Sequence, residues 1–271
     1  MNVDDSLVEK ASEQISRAMK VIPKGESKSL YELARESAAE FLSRKRHDGK
    51  QDLILLDSLL SIGRRYKLVV QWTDYYRDYV KARGLQHSLD TLARLDISDF
   101  MRYLNSIGIS KIPNQSRVEF AVNFAKLFLQ RYPKSSNDED GLFRWIKDSE
   151  GWTQFLKDYS ERDEICRTFT DFMLKEYNRQ LPKGRTLIGL SVFQYLRMQC
   201  GEDTLKPDRR VTAILKKLLG ISSLDPTECI EIASGIAKKL RIKLIEVDQV
   251  LVSEDYLSCE ETFKTLLHKT R

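Results

Sequence analysis

Cysteine and histidine are scarce in this 271-residue chain, and their scarcity removes several kinds of chemistry. The four cysteines, Cys166, Cys200, Cys229 and Cys259, stand 34, 29 and 30 residues apart. Zinc sites and compact iron–sulfur ligand sets use closely spaced pairs, so reduced and mostly buried thiols are expected instead. His47, His87 and His268 are too few for a histidine-rich metal centre and give little support to a Ser-His-Asp triad. No metal and no cofactor is expected, and carboxylate chemistry remains. Long apolar runs are missing too. None approaches the roughly 20 residues of a membrane span, and Asp4, Asp5, Glu9 and Glu13 interrupt the apolar positions that a secretory signal would need. An intracellular, cytoplasmic protein without a membrane partner is the expectation. Alternating strand patterns are absent as well, which leaves an all-α fold.

What is present is helical periodicity. Val8, Ala11, Ile15, Ala18, Met19 and Ile22 share one face, and Leu30, Leu33, Ala34, Phe41 and Leu42 form a second pattern beyond Pro23-Lys24-Gly25. The charged segment RKRHDGK, 44 to 50, reads as a solvated loop or as a polyanion contact. The apolar run LILLDSLLSI stops at Gly63, and Arg64, Arg65 and Tyr66 make a basic turn before a helix carrying Trp72, Tyr75, Tyr76 and Tyr79. Those rings are spaced to share one face, either as core or as a stacking surface for bases, at about 1–3 kcal/mol per base. Ser88 and Ser98 are candidate N-caps and Gly108 a helix stop, and a longer helix is predicted from Gln115 to Arg131. PKSSNDEDG, 133 to 141, reads as a linker, and Asp225-Pro226-Thr227-Glu228 spells a helix start. Four segments result: N-terminal helices at 1–50 that pack on the second lobe, a first helical lobe at 51–132, a linker with inserted helices at 133–182, and a closing segment at 183–271.

Charge is unevenly placed. The chain holds 45 Lys and Arg against 40 Asp and Glu, and Lys183–Leu219 holds eight against three, so the whole excess of five lies in that stretch. Lys183-Gly184-Arg185 leads through Gly189 to Ser191 and an amphipathic helix that ends at Cys200-Gly201. A loop follows, then Lys206-Pro207-Asp208, with Val211, Ile214, Leu215, Leu218 and Leu219 behind it. Glycines next to a helix N-terminus bring backbone N–H groups to an anion such as a DNA phosphate.

This order resembles the helix-hairpin-helix DNA glycosylases, the superfamily of endonuclease III. It comprises a glycine-containing hairpin, a helix ending in Leu196-Arg197, a Gly-containing loop, then Asp208 followed by Arg209, Arg210 and Val211. SLDTLARLDISDFMRYLNSIGI is similar to the helices before the hairpin, LLSIGRRY to the turn that enters the DNA stack, and DPTECIEIASGIAKKLRIKLIEVDQVL to the closing helices. The resemblance covers about Asp52 to Leu251. It implies two helical lobes with a cleft between them, double-stranded DNA as partner, a monomer, and Asp208 as the catalytic carboxylate. It also implies a monofunctional enzyme, because Leu190 stands where bifunctional members carry a lysine nucleophile. Leu187 and Ile188 replace part of the usual Gly-x-Gly, and Arg210 stands where a histidine is frequent. Lys183, Arg185, Gly189, Ser191, Lys206, Arg209 and Arg210 are the implied DNA contacts, with Arg64, Arg65 or Tyr66 filling the gap in the duplex. Trp72, Tyr76 and Phe193 are candidates to line the base pocket. A non-catalytic DNA-binding protein on the same scaffold is the alternative, and an all-α module that meets an acidic protein is a third reading.

Overall fold

The computed structural model describes residues 5–61, 66–109, 111–131, 141–148 and 190–253. Among these residues the regular structure is helical and no strand occurs. The helices are α1 (Asp5–Met19), α2 (Leu30–Leu42), α3 (Gln51–Leu60), α4 (Tyr66–Ala82), α5 (Leu89–Ala93), α6 (Ile97–Ser106), α7 (Gln115–Arg131), α8 (Gly141–Asp148), α9 (Leu190–Gln199), α10 (Arg209–Leu219), α11 (Pro226–Leu240) and α12 (Leu244–Val252), with a 3₁₀ turn at Lys45–His47. No described helix is long and apolar enough to cross a membrane.

The chain divides into two compact units, Met1–Lys45 with Arg197–Arg271, and Arg46–Leu196. The second boundary falls inside α9, whose last turn is tied to the chain just after α2. The Arg44 Nε donates to the Cys200 carbonyl at 2.9 Å.

In the first unit α1 lies against α10 and α11, and α2 against α12. Val8, Ala11, Ile15 and Ala18 bring the predicted apolar face of α1 into a core with Val211, Leu215, Ala233, Ile236, Val247 and Leu251. Local signals set most of the helix ends. Ser29 and Glu32 form a capping box on α2, and Asp225, Pro226 and Glu228 form the predicted box on α11.

In the second unit all ten residues of α3 are buried, and α4, α5 and α7 pack around it. The aromatic stripe of α4 belongs to the core except for half-buried Tyr75. Val69, Trp72, Thr73, Tyr76, Tyr79 and Val80 are buried, and the Trp72 indole donates to the Lys111 carbonyl at 2.8 Å. Phe100 meets Tyr79 edge-on at 5.1 Å and Tyr76 at 6.0 Å. Helix α6 starts at the Asp96 cap, which accepts from the Asp99 amide at 3.0 Å. Ser98 lies inside that helix, so the expected serine cap is displaced by two residues in favour of the nearby carboxylate. Ser88 does cap α5.

Two carboxylates sit fully buried on α3. Asp57 Oδ2 pairs with His47 Nε2 at 2.8 Å and with Arg46 Nε at 3.8 Å, while its Oδ1 accepts from the Tyr195 hydroxyl at 3.2 Å. Burial alone would push the Asp57 pKa up, but the bond from His47 and the Arg46 charge outweigh it and hold the carboxyl below its usual value. Asp52 pairs with His87 at 2.8 Å. Its charge adds to burial in keeping the Tyr76 phenol protonated well above the ordinary tyrosine range.

Candidate active site

The turn that carries Asp208 is built by short-range rules. Helix α9 ends in a Schellman motif, in which the Gly201 amide donates to the Met198 carbonyl at 2.9 Å and the Glu202 amide to the Arg197 carbonyl at 3.0 Å. Gly201 has φ 89, and a Cβ placed there would lie 3.1 Å from the Leu42 carbonyl and 3.2 Å from the Arg44 Nε. Both the left-handed backbone and the close approach require glycine. Gly201→Ala is expected to cost about 2 kcal/mol or more in a urea melt, since a left-handed alanine alone costs roughly 1–2 kcal/mol.

After Gly201 the chain runs without regular structure to Asp208, with Leu205 buried in the first unit's core. The Asp208 amide donates back to the Lys206 carbonyl at 2.7 Å, closing a three-residue turn about the buried Pro207. Proline's fixed φ suits the middle of such a turn. Asp208 then caps α10, with Oδ1 accepting from the Arg210 amide at 2.8 Å and the Val211 amide at 3.0 Å. Oδ2 takes no part in the cap. A half-buried carboxylate is thus fixed at the helix N-terminus through one oxygen, with the other outside the cap.

Helix α12 supports this turn from behind. Asp203 Oδ1 accepts from the Ile245 amide at 3.0 Å, and Asp248 Oδ1 accepts from the Lys206 amide at 2.8 Å. Arg210 Nη2 donates to the Ser253 carbonyl at 2.8 Å, at the negative end of α12. Burial, opposed in part by the Lys206 amide and reinforced by the charge of Asp208, pushes the Asp248 pKa up to about 7. Between about pH 4 and 7 the folded state therefore holds a proton that the unfolded state has released, so this group lowers stability as pH rises through that window. Asp248→Asn removes the titration. Its melting temperature is expected to exceed that of the wild type by a margin that grows from about pH 4 to 7 and then levels off, as read by thermal melts across that range.

The sequence-predicted residues divide three ways. Lys206, Asp208, Arg209 and Arg210 come together on one turn. Arg209 is exposed, whereas Arg210 is half-buried and engaged with Ser253, so it does not project as an expected phosphate contact would. Ser191 is half-buried as the second residue of α9, whose first residue is Leu190. Trp72, Tyr76 and Phe193 are 4%, 0% and 2% exposed, which makes them core side chains without a free ring face, in place of the base pocket expected of them. Lys183, Arg185 and Gly189, with Arg64 and Arg65, lie outside the described residues, as does the side chain of Tyr66. Cys200 and Cys229 are buried free thiols, and burial pushes the Cys229 thiol up to about 12. Among the described residues no group of three His, Cys, Asp or Glu side chains is placed to hold a metal ion. Asp248 is the residue that sequence reasoning missed. Its signal was a carboxylate inside the apolar run LIEVDQVLV, where burial demands a partner.

The chain matches no family model, no curated protein and no solved structure. The functional reading accordingly rests on the Asp208 turn and on the order of motifs around it.

Proposed function

We propose that the protein is a monofunctional DNA glycosylase, which extrudes a modified or damaged base and hydrolyses its N-glycosidic bond to leave an abasic site. The observation that carries this reading is Asp208, held by a proline turn and by two helix amides on Oδ1, with Oδ2 outside the cap and exposed Arg209 beside it. Beside the sugar C1′, such a carboxylate stabilises the cationic character that develops as the base departs, and it orients or deprotonates the attacking water. Leu190 offers no amine, so no Schiff base forms and the DNA backbone stays intact. The helix-hairpin-helix over Lys183–Ser191 and the two-lobed form implied by the resemblance belong to this proposal, as do the backbone contacts of Lys183, Arg185, Gly189 and Ser191. A modified base of the phage type is as compatible with the departures at Leu187 and Ile188 as ordinary damage.

One observation favours a second reading. Asp208 has a complete structural task as an N-cap, which a non-catalytic DNA-binding protein on the same scaffold would also need. Fluorescence titration with duplex DNA at two salt concentrations, coupled to mass spectrometry of released bases from varied genomic DNAs, separates the readings. Salt-steep binding with free base supports the glycosylase. Binding without release from any substrate supports the second reading, and absence of binding at low salt sinks both.

A further inference from the structure

The loop from Gly201 to Asp208 has no helix or strand of its own, yet two bonds tie it to α12, and a third joins the first turn of α10 to the end of α12. Asp203 caps the Ile245 amide, Asp248 accepts the Lys206 amide, and Arg210 reaches the Ser253 carbonyl. Of these, the Lys206 bond lies within the three-residue turn that ends at Asp208. The bond also terminates a relay. The Ser37 hydroxyl of α2 donates to Gln249 Oε1 at 2.6 Å, Gln249 Nε2 donates to Asp248 Oδ2 at 2.9 Å, and Asp248 Oδ1 receives the Lys206 amide at 2.8 Å. Both oxygens of a 2%-exposed carboxylate are thus bound, one by the helix side and one by the turn. An apolar residue would fill this place at lower desolvation cost, but it would leave the Lys206 amide without its acceptor.

We propose that Asp248 is the positioning residue of the Asp208 turn, latching the Lys206 amide to α12 so that the Asp208 carboxylate stands in one place. The kinetic consequence rests on the base-release reading, whereas the latch itself is read from geometry. Asp248 and Asp208 also sense each other's charge across the turn. The groups that face Asp248 are Asp208 at the start of α10, Lys206 in the loop, and Cys229 on α11, with Gln249 beside it on α12. From α2, Ser37 acts through Gln249, and Tyr31 is bound to Glu246 at 3.3 Å. With the carboxyl pushed up to about 7, the latch gains a negative charge next to Asp208 as pH rises through neutrality.

Amide hydrogen exchange and carboxyl carbon shifts, measured by NMR on the full chain, test this. In Asp248→Ala the Lys206 amide is expected to exchange at least about tenfold faster than in the wild type, while amides inside α10 and α12 keep their protection. Asp248→Asn keeps an acceptor and restores the wild-type rate. The Asp208 carboxyl shift is expected to show a step near neutral pH in the wild type and none in Asp248→Asn, which a merely structural role would not produce. With DNA, Asp248→Ala lowers kcat with KM unchanged, and Asp248→Asn recovers it. Unchanged Lys206 exchange in Asp248→Ala, or a neutral step that survives in Asp248→Asn, overturns the latch. If Asp248→Ala does not fold, the Asp248→Asn titration decides. Wild-type protein that releases no base counts against the glycosylase reading alone, and exchange and titration still decide the latch.

Discussion

Asp57→Ala is expected to lose about 3–5 kcal/mol of stability, because it removes a fully buried carboxylate and takes away the acceptor that His47, Arg46 and Tyr195 share. His47 is 4% exposed, so it cannot recover its hydration without opening the second unit, and Arg46, 3.8 Å from the lost carboxylate, loses an ion pair. The Tyr195 hydroxyl loses its bond to Asp57 as well. Urea unfolding of the two proteins checks this, with a lower midpoint at an unchanged slope as the expected form. The loss also has a pH signature. Since the folded Asp57 carboxyl is held below its usual value, its favourable contribution is present above the unfolded carboxylate value of about 4 and fades as pH falls through the folded one. The gap between wild type and variant should therefore narrow in acid. A loss under about 1 kcal/mol, typical of an exposed ion pair, would show that the network contributes little.

Asp208→Asn separates capping from chemistry. Asparagine caps helices about as well as aspartate, so the variant is expected to stay within about 1 kcal/mol of wild-type stability. Its amide cannot stabilise a developing cation as a carboxylate does or accept a proton from water, so base release is expected to fall by at least about 100-fold. Asp208→Ala should lose the same activity and, in addition, about 1 kcal/mol through its missing cap. Equal activity in Asp208→Asn and wild type, on a substrate the wild type processes, would make the residue a cap and nothing more.

Features governed by nearest neighbours along the chain were legible in the sequence. The start of α10 at Asp208, the capping box at Asp225 and Glu228 and the ends of α7 follow from caps and from the spacing of three and four. The failures are tertiary. Asp96 competes with Ser98 for the start of α6, and from sequence either satisfies a free amide. Trp72, Tyr76 and Phe193 carry the ring chemistry of a base pocket, but only packing shows that their faces are covered. Asp57 with His47 is joined over ten residues and Asp248 with Lys206 over 42, and no local spacing encodes either partner. A buried acid in an apolar run announces that a partner exists without saying which. The hairpin contacts from Lys183 to Gly189, on which the family resemblance leans, lie outside the described residues.

The most direct test of the Asp208 assignment pairs wild type with Asp208→Asn on the same panel of modified and damaged duplexes, counting free bases by mass spectrometry and abasic sites in the strand left behind. The glycosylase account predicts equal amounts of free base and intact abasic strand from the wild type on at least one substrate, and neither from Asp208→Asn, with both proteins equally folded. Free base from both proteins at the same rate would contradict it, as would a wild type that binds DNA and releases nothing from any substrate.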